Sequence, residues 1–329
     1  MKAYLIDKDA ASGKARGRWA ELDPQQLDAG ELTLRVLYSS VNYKDALAAT
    51  GAGKIIRRFP CVGGIDMVGE VTESLDPTFK PGDKVIATSF DIGVAHHGGY
   101  AEQARVPAAW AVPLPPGMTP FEAMALGTAG FTAGLAVVRM EDNGLTPGKG
   151  PVVVSGATGG VGSLAINMLS RLGYEVVALT RKSQEADYLK RLGAARIQPL
   201  DELKLDQTRP MEAGQWAGAV DNVGGAVLHW MLATMHQAGC VASIGNAASV
   251  ELHTSVFPFI LRGVSLLGID SGYMGFPTRA KVWQRLGTDL KPTCLEQVTR
   301  TVDFADLPPV FDDLIAGRGK GRCVVRIGG

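Results

Sequence analysis

The run Ser155-Gly156-Ala157-Thr158-Gly159-Gly160-Val161-Gly162 restricts the fold of this chain more than any other segment. Before it, Pro151 to Ser155 is a run of valines that reads as a buried strand. After it, Val161, Leu164, Ala165, Met168, Leu169 and Leu172 recur at helical spacing, and Gly173 closes the helix. A strand, a Gly-rich turn and an amphipathic helix in that order bring free N–H groups and the positive end of a helix dipole to one point. A phosphate-bearing ligand needs that arrangement. Gly159, Gly160, Val161 and Gly162 are the residues expected to hold it, with Gly162 letting the helix pack closely on the sheet. Ala157 stands where the dinucleotide fingerprint usually has its first Gly, with Gly156 beside it. The alternative is a purely structural turn, and the second strand that follows in register favours dinucleotide binding over it.

That second strand, Glu175 to Thr180, selects the dinucleotide. An NAD site usually ends it with an acid about 20 residues past the loop, to hold the ribose 2′-hydroxyl. Here it ends in Thr180-Arg181-Lys182-Ser183. A hydroxyl and two cations suit a 2′-phosphate, so Thr180, Arg181 and Lys182 predict NADPH; a solvated basic turn is the bland alternative.

Around this motif three regions separate. Residues 1–121 are β-rich: Gly63 to Val71 alternates, Pro81-Gly82-Asp83 is a turn before the strand Lys84 to Ala87, and Tyr100 to Val106 adds another. Residues 122–269 alternate strands and helices, the pattern of a parallel sheet with crossover helices. Residues 270–329 are too short for a domain and are expected to return to the first region. The fold class is therefore α/β. The chain has 41 Gly in 329 residues, above the ordinary share, which fits many tight turns. Lys plus Arg and Asp plus Glu balance at 33 each, so no broad field draws in nucleic acid or a membrane surface. Cys61, Cys240, Cys294 and Cys323 lie far apart without metal-type spacing. There is no signal-peptide pattern, and the apolar run Ala123 to Val138 is too short and Gly-rich for a span. A cytoplasmic protein is expected.

Almost the whole chain resembles the zinc-independent, quinone-oxidoreductase-like branch of the medium-chain dehydrogenase/reductases, and within it the bacterial acryloyl-CoA reductases. The likeness rests on Ser39-Ser40-Val41-Asn42-Tyr43-Lys44-Asp45, Gly53-Lys54-Ile55-Ile56-Arg57, Gly64-Ile65-Asp66, Gly127-Thr128-Ala129-Gly130-Phe131-Thr132-Ala133 and the Gly-rich turn. Phe257-Pro258-Phe259-Ile260-Leu261-Arg262 and Gly321-Arg322 belong to the same pattern. The resemblance implies a GroES-like β-rich catalytic domain, built from both chain ends, plus a Rossmann doubly wound parallel sheet, with the active site in the cleft between them. It also implies a homodimer through the sheet edge near Val264 to Ile269. Zinc alcohol dehydrogenases place a Cys near the Asn42–Asp45 segment and a His-Glu pair near Gly64. This chain has no such Cys and has Ile65-Asp66 at the second place, so no metal is expected. His96-His97 are adjacent and poorly disposed to chelate together. Related reductases often carry a Tyr several residues after Asn-x-x-Asp; Ala46 to Lys54 contains none, which leaves the proton donor open.

Without a metal, hydride transfer to an α,β-unsaturated thioester relies on hydrogen-bond donors at the thioester oxygen and on a proton source for the α-carbon. Asn42, Tyr43, Asp45 and Asp66 are the catalytic candidates. Their structural alternatives are a backbone bridge for Asn42, a core aromatic for Tyr43, and a pair that orients the others for the two acids. Lys44, Thr128, Ser271 and Arg322 are expected at the cofactor. Arg57 and Arg58, near Lys54, with Arg262, are expected at the phosphates of an acyl-CoA substrate. The first expectation is thus reduction of a short 2-enoyl-CoA by NADPH. The rivals are an NADPH:quinone reductase and a non-catalytic dinucleotide-binding scaffold.

Overall fold

From Val152 onward the valine-rich runs become six parallel strands. Across the sheet they lie in the order Arg196–Pro199, Val176–Thr180, Val152–Val154, Trp216–Asp221, Met235–Ser243 and Ser265–Gly268. Counted along the chain this is 3-2-1-4-5-6, the doubly wound order, with the reversal between Val152–Val154 and Trp216–Asp221. Ligands of such sheets bind beyond the strand ends at the reversal, and the Ser155–Gly162 turn leaves the sheet at that place. The strands read as continuous apolar runs because both faces are covered: Val152, Val153 and Val154 have no exposure at all.

The computed structural model describes residues 1–328, which fall into two units. The sheet just described belongs to residues 129–271 with 284–294; the other unit comprises 1–128, 272–283 and the chain from Leu295 onward. The tail therefore does not return as one block. Gln284 to Cys294 joins the parallel sheet's unit, where Thr293 N–H donates to Asn167 Oδ1 at 3.0 Å and Arg285 pairs with Glu141 at 2.5 Å.

The first unit holds a seven-stranded sheet in the order Thr299–Asp303, Arg322–Arg326, Leu32–Val41, Asp66–Ser74, Lys84–Thr88 and Ala111–Pro113, with Gln103–Val106 also on Leu32–Val41. A smaller sheet joins Ala15–Glu21, Lys2–Lys8 and Cys61–Val62. The C-terminal strand lies antiparallel to Leu32–Val41, with Cys323 opposite Val41. Leu32–Val41 runs into helix α1, Tyr43–Thr50, capped by Asn42 and ended by Gly51 at φ +71°. A Cβ at Gly51 would sit 2.4 Å from the Ala15 carbonyl oxygen, so the chain approach there requires glycine. Helix α2, Pro120–Asp142, is longer than the apolar run suggested, and by length and composition it could cross a membrane. In this fold it is a largely buried core helix, interrupted at Gly127 (φ +51°, ψ −154°). All four cysteines are buried and unpaired.

Helix α3, Gly160–Arg171, starts at the Gly-rich turn and buries Leu164, Ala165, Met168 and Leu169. A Cβ on Gly162 would lie 2.4 Å from Gly156 O and 2.9 Å from Ala157 Cα, both backbone atoms. Gly162→Ala must therefore shift the turn or the helix and is expected to cost roughly 1–3 kcal/mol. Urea unfolding should show a lowered midpoint with an unchanged slope; an unchanged midpoint would remove the packing role given to this glycine.

Candidate active site

The turn before α3 is held open by its own strand ends. Gly156 has φ +58°, and Gly159 caps the helix in an extended conformation with no side-chain hydrogen bond. Gly159 N–H closes on Gly156 O and Ser163 N–H on Gly159 O, each at 2.9 Å. The N–H groups of Gly160, Val161 and Gly162, at the positive end of α3, precede the first intrahelical bonds, as at any helix start. Beneath the turn lies a residue the sequence analysis overlooked, Asp221. Its carboxylate accepts from Ser155 Oγ at 2.8 Å and from the N–H groups of Val223 and Gly224 at 3.1 and 2.9 Å. Asn222 adds Nδ2 to Ser155 O at 2.8 Å. Burial pushes the Asp221 carboxyl above its usual value, against the pull of these donors. The signal for it was an acid ending the apolar strand Trp216–Asp221 just before Asn-Val-Gly-Gly.

At the end of the second strand Thr180 is buried, and its Oγ1 accepts from Lys182 N–H at 2.9 Å. That bond turns the chain so that Arg181 is exposed, with no carboxylate partner among the described residues, while Lys182 is half-buried. The cradle of glycines, the uncapped helix and a free guanidinium fit a dinucleotide that carries a 2′-phosphate. Ser271 is half-buried past the last strand. Arg262 departs from its expected role. Its guanidinium donates to the backbone oxygens of Ala233 (3.1 Å), Met235 (2.8 Å) and Glu212, which ties the helix Phe257–Arg262 to the sheet and leaves it unavailable to a phosphate.

In the first unit three of the four catalytic candidates, Asn42, Asp45 and Asp66, come together around a fully buried Asp66 carboxylate. Its Oδ2 accepts from Ser40 Oγ (2.6 Å), Asn42 Nδ2 (2.8 Å) and Thr128 N–H (2.9 Å), and its Oδ1 accepts from Thr128 Oγ1 (2.5 Å). Asp45, also buried, accepts from the backbone N–H and Nδ2 of Asn42 at 2.8 and 3.2 Å and from Ile65 N–H at 2.9 Å. Arg322 closes the cluster from the C-terminal strand. It is only 4% exposed, so the expected contact with cofactor is replaced by an internal one. Gly127 makes room: a Cβ there would meet Asp66 Oδ2 at 2.5 Å and Arg322 Nη2 and Ser40 Oγ at 2.7 Å. Tyr43 is not a core aromatic; it is 54% exposed on the first turn of α1, with Lys44 exposed beside it.

The expected acyl-CoA cations are engaged elsewhere. Arg57 is paired with Asp91 and donates to Tyr273 Oη at 2.9 Å, and that hydroxyl donates to Asp91 at 2.7 Å. Arg58 is paired with Asp28 and donates from Nε to Ala95 O at 2.9 Å. Two arginines with two acids carry no net charge, so the cluster straps the 91–97 loop and is not a ready phosphate site. His97 Nδ1 accepts from Val62 N–H at 3.0 Å, and His96 Nε2 contacts Arg105 O at 2.7 Å, so the two histidines have separate structural partners. Among the described residues, no three His, Cys, Asp or Glu gather where a metal could be held.

Burial, followed by the neighbouring Asp66, pushes the Asp45 carboxyl up to about 7, and the three N–H contacts pull the other way. Its folded value lies above its unfolded one, so between about pH 4 and 7 the folded state holds the extra proton. Stability from this group falls as pH rises through that window. Asp45→Asn should flatten the pH slope of urea-unfolding free energy between pH 4 and 7. Parallel slopes for the two proteins would contradict the burial argument.

Comparison with known proteins agrees with this geometry. The family model of the alcohol dehydrogenase GroES-like domain matches residues 28–116, and one described as zinc-binding dehydrogenase matches residues 160–287. Acrylyl-CoA reductase AcuI of Ruegeria pomeroyi is 47% identical over 327 residues, 99% of each chain. The putative quinone oxidoreductase YhfP of Bacillus subtilis is 46% identical over 93% of each chain. Among solved structures, the yhdH oxidoreductase of Salmonella enterica in complex with NADP superposes with a TM-score of 0.96 at 45% identity, covering all of both chains. Bacillus subtilis yhfP with NAD bound gives 0.95 at 43% identity over 99% of each. The chain belongs to the medium-chain dehydrogenase/reductase family, with a GroES-like domain and a Rossmann dinucleotide-binding domain.

Proposed function

We propose that this chain is an oxidoreductase that uses NADPH to reduce the C=C bond of a short 2-enoyl-CoA, acryloyl-CoA to propionyl-CoA. The observation that carries the reading is full-length likeness, at nearly half identity, to an acrylyl-CoA reductase. Bound at the Gly-rich turn, NADPH would supply the two electrons, as hydride to the β-carbon of the thioester, and the α-carbon would take its proton from an acid or a water. The chain's own residues do the rest. The first-turn N–H groups of Gly160, Val161 and Gly162 hold the diphosphate, and Thr180, Arg181 and Lys182 hold the 2′-phosphate. Lys44, Thr128 and Ser271 serve the nicotinamide side. Negative charge builds on the thioester oxygen, where one positioned donor is worth ~3 kcal/mol. Tyr43 fits that task, because it is the exposed hydroxyl on the Asn42–Asp45 segment. Asn42, Asp45 and Asp66 stand behind it and hold the turn. No metal is assigned, since the Asp66 carboxylate where a zinc enzyme has His-Glu is already surrounded by donors.

A quinone reductase remains the second reading, favoured by the name of the B. subtilis relative and by the neutralised Arg57 and Arg58. One set of steady-state measurements separates the two and tests the cofactor. Acryloyl-CoA should exceed simple quinones and free acrylate in kcat/KM with NADPH, and chelator dialysis should leave the rate unchanged. Arg181→Ala should lose roughly 10–100-fold of the preference for NADPH over NADH. A quinone with the higher kcat/KM sinks the thioester reading; equal kcat/KM for NADPH and NADH in the unmutated protein sinks the role of Arg181.

A cytoplasmic homodimer is proposed with it. Reduced, buried cysteines suit a reducing compartment. The edge strand Ser265–Gly268 and the adjoining helix leave Val256, Phe257, Ile260, Leu261 and Leu266 exposed, an apolar surface that a second copy would cover. Light scattering should give twice the 34.7 kDa chain mass, and Leu266→Asp should shift it toward one chain. A monomer at micromolar concentration ends this proposal.

A further inference from the structure

Arg322 opens the C-terminal strand at a point where an apolar side chain would be the ordinary choice. A buried guanidinium is expensive unless every donor is placed. Its nearest carboxylate oxygen, Asp66 Oδ2, is 3.9 Å away, so the fork does not close on an acid. Nη1 donates to Val41 O at 3.3 Å and to Asn42 Oδ1 at 3.1 Å, and Nη2 donates to Ser40 Oγ at 2.9 Å. Nε donates to Ala125 O at 3.0 Å in α2. The cation thus grips three consecutive residues, Ser40, Val41 and Asn42, at the point where strand Leu32–Val41 becomes α1.

The grip fixes the amide of Asn42 in one orientation. Its oxygen faces the guanidinium, and its two N–H groups face Asp45 and Asp66. Both N–H groups are committed, so Asn42 has none left for a substrate. The groups that remain free on this segment are the next two side chains, Tyr43 and Lys44.

We infer that Arg322 is a positioning residue, which acts through Asn42 to set where the first turn of α1 holds Tyr43 and Lys44. It rests on the reading of Tyr43 as donor, yet the two can fail separately. Lysine keeps the charge but has no planar fork, so Arg322→Lys cannot make all these bonds. Arg322→Lys and Asn42→Ala are each expected to lower kcat with acryloyl-CoA by roughly 10–100-fold, while KM for NADPH changes less than about twofold. Hydrogen exchange should quicken over residues 42–47 and stay slow in the strand Asp66–Ser74. In the combined variant kcat should fall no further than in the slower single one, because both break one linkage. Should Arg322→Lys fail to fold, Arg322→Met with Asp66→Asn removes both buried charges together and is read in the same way. Losses that multiply, a kcat within twofold of the parent, or exchange that quickens throughout the unit would each overturn the inference. Tyr43→Phe is measured alongside. If it leaves kcat unchanged while Arg322→Lys still loosens residues 42–47 and slows turnover, the positioning role stands and the Tyr43 role falls. If exchange at 42–47 is unaltered by Arg322→Lys and Tyr43→Phe slows turnover, the outcome is the reverse.

Discussion

The buried carboxylate of Asp66 is the point from which the first unit is organised. A charge with no solvent must be met by donors, and four reach it, from Ser40, Asn42 and the backbone and side chain of Thr128. Those donors come from segments far apart in sequence, and the guanidinium that balances the charge comes from position 322. Removing one member leaves its direct partners short of a hydrogen bond in a place with little solvent, so the members are energetically coupled. Hydrogen bonds to this one carboxylate join the ends of those segments.

The second unit solves a different problem, that of bringing backbone close to an anion. Its answer is absence: no side chain at Gly159, no side-chain cap on α3 and, among the described residues, no carboxylate paired with Arg181. Asp221 supplies the rigidity this openness needs, by fastening Ser155 and the following turn from below. Burying that acid is offset by three donors, and the result is a turn fixed before any ligand arrives.

Periodicity made the parallel sheet legible, because strands buried on both faces read as valine runs and α3 repeats at helical spacing. The Gly-rich turn was legible for the same reason: local chemistry at a fixed spacing. The Asn42–Asp66 cluster could be named only through likeness to a family. Its geometry stayed hidden, since no local pattern says that residue 322 will lie beside residue 41. The three substrate arginines show the opposite error. Arg57 and Arg58 look like a basic patch in sequence, but their acids, Asp91 and Asp28, are 34 and 30 positions away. Arg262 looked free because its acceptors are backbone oxygens, to which sequence composition is blind.

The pairing of Cys323 with Val41 has a consequence for how the protein is made. Synthesis runs from the N-terminus, and domains tend to fold as they emerge. The six strands of the parallel sheet are all complete once residue 268 has been added, so its dinucleotide cradle can form on a growing chain. The turn that begins α1 must wait for Arg322, which follows more than 50 residues later in the chain. Until then Asp66 and Asp45 are two acids without their cation. On the positioning role inferred for Arg322, a chain cut short before that residue would present an intact nucleotide cradle and a slack reaction segment, a product that captures cofactor without turning it over.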